Sequence, residues 1–288
     1  MKKSIIHIVN HTAIVSLSAA FAYFLPDIIR QATRTVLVSW SYIENQALFL
    51  VCTEIAVAIL LIVGVNILGR SWRVSRNARS AHYAGLVNVA PAQSILARRS
   101  MKKLKVEQGI GRNIMLISAT GLSAFVDPGG DLHEVVKQSR EAKIMLLNPL
   151  REGVTARAKS LADPNITPES FREQIIRSID FLKGLKAHQK NIRLKLYPDV
   201  PLLKMAILGD YLCLQHYPAG LNVRQMPEYA FQHDGSGGLF NVFYQYFVSR
   251  WFDPLIPEYD LETDELIYRD RTGSEMRRES FNEVAMEY

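Results

Sequence analysis

The chain has 288 residues, a net charge of +6 and 48% hydrophobic residues, enough for about two folding units at roughly 150 residues each. Its two cysteines, Cys52 and Cys213, fall in segments that are not expected to meet, which excludes a disulfide framework. The charge is uneven: residues 1–69 sum to about +1, 70–112 to about +9 and 113–288 to about −4. A basic band therefore separates two near-neutral or acidic regions.

Ile5 to Phe24 is 20 residues without Asp, Glu, Lys or Arg, and Ala47 to Gly69 is 23 residues with one charge, Glu54. About 20 apolar residues at 1.5 Å each cross a ~30 Å hydrocarbon core. Helices over about 5–24 and 47–69 are thus expected to form a transmembrane hairpin in residues 1–69. Buried core helices are one alternative. A signal peptide cleaved near Ala20-Phe21-Ala22 is another for the first segment. Lys2 and Lys3 precede the first segment, and Arg70, Arg73, Arg76 and Arg79 follow the second. The positive-inside rule then places both termini in the cytoplasm of a two-span, multi-pass protein of the bacterial inner membrane.

A carboxylate at mid-membrane costs roughly 2.5–3.5 kcal/mol on insertion scales, so Glu54 needs a reason. With His7, Asn10, His11 and Asn66 it forms an intramembrane polar set. Either these groups hydrogen-bond across the hairpin, or they line a water-filled path. Two helices cannot enclose a path, so the second reading implies a homo-oligomer.

Residues 70–112 carry ten Lys or Arg against one acid, Glu107, and read as a basic juxtamembrane linker. Arg98, Arg99, Lys102 and Lys103 are dense enough to hold anionic lipid or nucleic acid. Their place beside the expected membrane segment favours lipid.

From residue 113 the pattern becomes that of an α/β domain with a mixed sheet. Ile114–Ser118 and Lys143–Asn148 read as buried strands, with a helix over Asp131–Glu141 between them. Thr167 as N-cap and Pro168 in the first turn open a helix from Glu169 to about Asn191. Strands are expected at 192–197, 203–208 and 211–216, the last two a hairpin turning at Gly209-Asp210. An apolar run at Glu228–Phe231, a Gly-rich loop at 234–238 and an aromatic helix over Leu239–Phe252 complete the domain, 113–252. The tail, 253–288, is acidic and is expected to be solvated or partly disordered. Asp127-Pro128-Gly129-Gly130 leads into a helix start that could hold an anion. No Gly-x-Gly-x-x-Gly or Gly-Lys-Ser/Thr pattern accompanies it, and simple turns are favoured.

The order of elements, with KIMLLNP and then LLKMAILGDYLCLQHYP, resembles the phospholipase D superfamily over roughly residues 113–252. Its enzymes carry His-x-Lys-x4-Asp on a strand, then Gly-Ser. Leu202 stands at the place of the nucleophilic histidine, Lys204 at that of the phosphate-binding lysine, and Gly209, with Asp210 one residue late, at that of the aspartate. His216-Tyr217 stands where Gly-Ser would follow. Leucine has no nucleophilic lone pair, so the resemblance implies a phospholipase D-like domain without a catalytic residue. It leaves anion or ligand contact at Lys204, Asp210 and His216.

Two membrane helices joined to a cytoplasmic sensing domain also resemble, by architecture, the effectors of bacterial anti-phage systems of retron, CBASS and Pycsar type. That resemblance implies a non-enzymatic inner-membrane toxin, silent until a signal triggers membrane disruption and growth arrest (abortive infection). Its partners would be inner-membrane lipids, further copies of the chain, and a defence-operon component such as a reverse transcriptase/ncRNA complex or a nucleotide second messenger. No cofactor or metal is expected. The alternatives are a membrane-anchored phosphodiesterase or phospholipase with a modified site, and a non-toxic membrane scaffold that recruits a cytoplasmic partner.

Overall fold

The computed structural model describes residues 81–281 (except 162, 164, 165, 234, 236, 237 and 271), residues 54–66, and positions 24, 27, 30, 31, 34, 35 and 51. The chain divides into two compact units, residues 1–75 and 76–288.

In the first unit residues 54–66 are helical, and Glu54 and Asn66 are exposed. Among the described residues no helix is long and apolar enough to cross a membrane. This corrects two expectations, the fold class headed by a two-helix membrane hairpin and the inner-membrane location. His7, Asn10, His11, Arg70, Arg73, Arg76 and Arg79 lie outside the described residues.

The second unit is built on one ten-stranded mixed sheet with the order β1-β7-β6-β5-β2-β3-β4-β8-β9-β10. At its centre β2 (Asn113–Ile117), β3 (Glu141–Leu147) and β4 (Asn191–Tyr197) run parallel. Their inward runs are apolar because helices cover the sheet, as parallel strands require. Ile144, Leu146, Leu147, Leu194 and Leu196 are fully buried. On one flank β5 (Leu203–Leu208) and β6 (Tyr211–His216) form the expected hairpin, followed by β7 (Glu228–Gln232) and β1 (Leu86–Ala90), all antiparallel. Gly209 takes φ +59° in the hairpin turn, a region that costs a residue with a Cβ about 1–2 kcal/mol. On the other flank lie β8 (Glu258–Asp260), β9 (Glu265–Arg269) and β10 (Glu275–Ser280).

These outer strands change two expected boundaries. The acidic tail is not a loose extension, because β8 pairs with β4 and carries β9 and β10 into the sheet. Tyr259, Leu266 and Phe281 are buried among charged neighbours, and β10 keeps Glu275, Arg277, Arg278 and Glu279 on the open edge, where charge discourages further strand addition. The basic linker likewise contributes β1 and the helix α1 (Ile95–Gly109). Ser94 caps α1 by accepting from Ala97 N. Met101, Lys105 and Gly109, four apart, are its buried stripe. Gly109 permits close approach to the next helix, since a Cβ there would lie 2.4 Å from Val135 Cγ1.

The remaining helices are α2 (His133–Gln138), α3 (Glu152–Ser160), α4 (Pro168–Ala187) and α5 (Leu239–Trp251). Thr167 and Ser170 form a reciprocal cap at the start of α4. Phe171, Ile175, Ile179 and Leu182 then bury one helical face, each apolar side chain contributing roughly 1.5–3 kcal/mol relative to exposure.

Candidate functional site

The C-terminal end of β2 lies where the sheet changes direction, between parallel β3 and antiparallel β5. In open α/β sheets such a switch point leaves a crevice outside the strand ends. Here the crevice is a cavity of about 710 Å³, within the range of small-molecule sites. Its floor comes from the sheet: Ser118 and Thr120 after β2, Lys204 on β5, Gln215 on β6 and Glu228 on β7. One wall is α1, with Arg98, Arg99 and Lys102; the other is the α3–α4 region, with Arg157, Leu161, Ile166 and Phe171.

The segment 217–226 closes the cavity between those walls. Arg157 is buried and donates to the carbonyl oxygens of Pro218 at 2.7 Å and Leu221 at 3.1 Å. Its guanidinium also lies 5.1 Å from the Tyr217 ring centroid. Burial pushes the Arg157 pKa down, with Tyr217 and Tyr197 opposing. Tyr217 Oη accepts from Ala119 N at 3.0 Å, tying the segment to the end of β2. At the far end Arg98 donates to the Arg224 carbonyl, and Gln215 donates to the carbonyls of Val223 and Met226.

Beneath the floor lies a charged cluster. Lys105 is 1% exposed and bonds to both Asp131 and Glu228, the latter at 2.6 Å. Burial alone would favour neutral lysine, but the two carboxylates overcome it and hold the pKa above its ordinary value. For Asp131, burial works against the charge, while Lys204 and Lys105 dominate and hold the carboxyl well below the usual range. Lys204 Nζ stands 4.0 Å from Asp131 Oδ1, an ion-pair distance beyond direct hydrogen bonding. It lines the cavity while paired with Asp131. Cys213 sits in the same core, its Sγ 3.8 Å from Met101 Sδ, and burial pushes its thiol up to about 12.

The expected site residues separate. Lys204 is in the cavity. Asp210 is exposed in the hairpin turn, at the opposite end of β5 and β6. His216 is exposed and pairs with Leu203, while Lys204 pairs with Gln215. Successive residues face opposite sides of a sheet, so His216 and Lys204 face apart. Leu202 is 62% exposed and lines a separate depression of about 250 Å³ with Tyr197 and Arg250. Arg98, Arg99 and Lys102, expected to face lipid, belong to α1 and line the cavity. Lys103 points away and pairs with Glu107 at 3.7 Å. Asp127, Gly129 and Gly130 also line the cavity, and Lys102 donates to the Gly129 carbonyl at 3.1 Å. Among the described residues no His, Cys, Asp and Glu cluster could hold a metal ion. Sequence reading missed Lys105, Asp131 and Glu228 because the lysine sits in a basic run and its partners lie 26 and 123 residues away.

No family model and no curated protein matches the sequence. Three solved structures are similar in fold. TrmBL2, an archaeal chromatin protein described as showing a novel mode of DNA binding, has 13% identity, with 73% of this chain and 69% of that one covered and a TM-score of 0.32. Nuc, a phospholipase D family member from Salmonella typhimurium, has 11% identity, with 60% and 95% covered and a TM-score of 0.36. Phosphatidylserine synthase from Haemophilus influenzae Rd KW20 has 9% identity, with 57% and 38% covered and a TM-score of 0.37. None of the three exceeds 13% identity or a TM-score of 0.37.

Proposed function

We propose that residues 76–288 form a non-catalytic sensing domain that binds a phosphate-bearing ligand in the cavity at the end of β2. The observation that carries this reading is the imbalance of charge around the cavity. Six lining Lys and Arg side chains, from α1, α3, β5 and the 217–226 segment, face three carboxylates. Asp131 and Glu228, two of those three, are already bonded to buried Lys105. The hydroxyls of Ser118, Thr120 and Ser123 lie among the cations and can donate to phosphate oxygens. Among the described residues no histidine lines the cavity beside Lys204: Leu202 takes the sequence position where the resemblance would place one, and its side chain lies outside the cavity.

A sensor acts by binding one state of its protein better than another. The output expected from the defence-effector resemblance, disruption of a membrane, is not carried forward, since no described helix could span one. The test uses the full chain with inorganic tripolyphosphate in a thermal-unfolding assay, alongside hydrolysis of bis(p-nitrophenyl) phosphate. Tripolyphosphate should raise the unfolding temperature, with about 2.7 kcal/mol of added stability at a concentration 100 times Kd. Lys204→Ala should weaken that response, and no turnover should be seen. Turnover abolished by Lys204→Ala or His216→Ala would instead establish the modified phosphodiesterase, and no thermal response to tripolyphosphate would remove the sensing role.

A further inference from the structure

The cavity has two unlike ends. The 217–226 segment crosses it, fixed at one end by Arg157 on Pro218 and Leu221 and at the other by Arg98 on Arg224. Leu221 and Arg224 are three residues apart, at most about 10 Å along the chain, so the two walls face each other across the width of a small molecule. The α1 wall carries Arg98, Arg99 and Lys102, joined by Arg224 from the segment. Neither Arg99 nor the Arg224 guanidinium is engaged by any described residue. On the opposite wall Arg157 is buried and spent on the Pro218 and Leu221 carbonyls, and the rest is mostly apolar: Leu161 after α3, then Ile166 and Phe171 where α4 begins, with Gln174 one turn further. An inorganic anion has no use for such a wall. A hydrophobic ligand without charge would leave the cations desolvated and unpaired, which is costly.

We propose that the ligand is a nucleoside carrying more than one phosphate, its phosphates on Arg99, Lys204 and Arg224 and its base against Ile166 and Phe171 within reach of Gln174. This rests on the anion-sensing reading and gives it a ligand class. The phosphate number follows from charge. A single phosphate monoester brings about −1.5 to −2 near neutral pH, whereas the lining cations exceed the lining carboxylates by three. The size agrees, since about 710 Å³ exceeds what a phosphate chain alone would fill and suits a ligand of drug-like dimensions.

Titration calorimetry on the full chain tests this with ATP, GTP, CTP, UTP, AMP, adenosine, tripolyphosphate and a single-stranded oligonucleotide as probes. At least one nucleoside triphosphate should bind about tenfold or more tightly than tripolyphosphate, and more tightly than AMP, with adenosine weakest. Ile166→Ala should weaken the triphosphate about tenfold, which is 1.4 kcal/mol, and leave tripolyphosphate unchanged. Arg99→Ala should weaken both. If tripolyphosphate matches every nucleotide and Ile166→Ala alters nothing, the nucleoside is overturned while anion sensing stands. If a single-stranded oligonucleotide binds and no mononucleotide does, the ligand class is likewise overturned. If none of these probes binds, both readings fall, and the wild-type comparison gives that result even should Ile166→Ala not fold.

Discussion

The domain holds two charged clusters on opposite sides of its sheet, and they treat charge differently. Around β4 and β8, Arg193 donates to both oxygens of Glu258 at 2.8 Å, and Arg269 Nε lies 3.5 Å from the same carboxylate. Lys195 donates to the Ile256 carbonyl at 3.0 Å, and both Arg193 and Lys195 stand over the Trp251 ring. Each cation there ends on a carboxylate, a carbonyl or a ring. Around β5 and β7, Lys105 is closed between Asp131 and Glu228 in the same manner, but Lys204, Arg99 and Arg224 open onto a cavity. A closed cluster fixes strands in place. An open one leaves part of its charge facing the cavity. The difference is the physical ground for placing function at the β2 end rather than beside Trp251.

Removing the lysine that closes the second cluster should give the largest effect. Lys105→Met leaves Asp131 and Glu228 without their buried partner, and breaking a buried pair on one side costs about 3–5 kcal/mol. Urea unfolding should show a stability loss of that size, read as a lower midpoint at an unchanged slope. A loss below about 1 kcal/mol would mean that Lys105 is not the keystone of the floor.

Glu258→Gln attacks the closed cluster and should cost less, about 1–3 kcal/mol, because Arg193 is 40% exposed and solvent takes up part of its charge. Ligand response should be untouched, which separates the two clusters. Acid should separate them too. Both Asp131 and Glu258 titrate below their ordinary values of 3.8 and 4.5 in the folded chain. Each therefore contributes stability that is present above those values and is lost as pH falls toward the folded-state pKa. Lys105 titrates above 10.5 when folded, so its contribution is full below that value and is lost as pH rises beyond it. Stability should hold between about pH 5 and 10 and fall on the acid side below about pH 4, and Asp131→Asn should flatten that acid limb more than Glu258→Gln does. Equal flattening by the two variants would contradict the dominance of the Lys105–Asp131–Lys204 contacts.

What could be read from the sequence follows the range of the forces involved. The β5–β6 hairpin was legible to the residue because alternation and a Gly-Asp turn are local signals, and the start of α4 because Thr167 and Pro168 are. Lys204 is singled out by the resemblance to a phospholipase D motif, and its place at the cavity depends on the sheet order. The outer strands β8 to β10 were not, since their acidic composition suggests solvation and only pairing with β4 and packing of Tyr259 against Phe281 explain their order. Nor was the role of α1. A run such as Arg98-Arg99-Ser100-Met101-Lys102-Lys103-Leu104-Lys105 looks uniformly exposed, and which lysine is buried depends on carboxylates that only the fold brings near. Apolar composition over 47–69 suggests a membrane span, but among the described residues no helix is long and apolar enough to cross a membrane.

The smallest effect on stability should come with a clear effect on binding. Arg99 is exposed, lines the cavity and is engaged by no described residue. Surface changes away from caps and buried pairs usually stay within ±0.5 kcal/mol, so Arg99→Ala should unfold in urea with the wild-type chain. A guanidinium that contacts phosphate contributes more than a neutral hydrogen bond, so the same variant should weaken tripolyphosphate binding about tenfold, a difference of 1.4 kcal/mol. Its remaining affinity should also depend less steeply on salt, because one charge fewer takes part. Lys103→Ala removes an equally exposed cation of the same helix, one that points away to Glu107, and is the matched control. If Lys103→Ala weakens binding as much as Arg99→Ala, affinity comes from the diffuse charge of α1 rather than from the cavity, and the contrast between an open and a closed cluster loses its functional meaning.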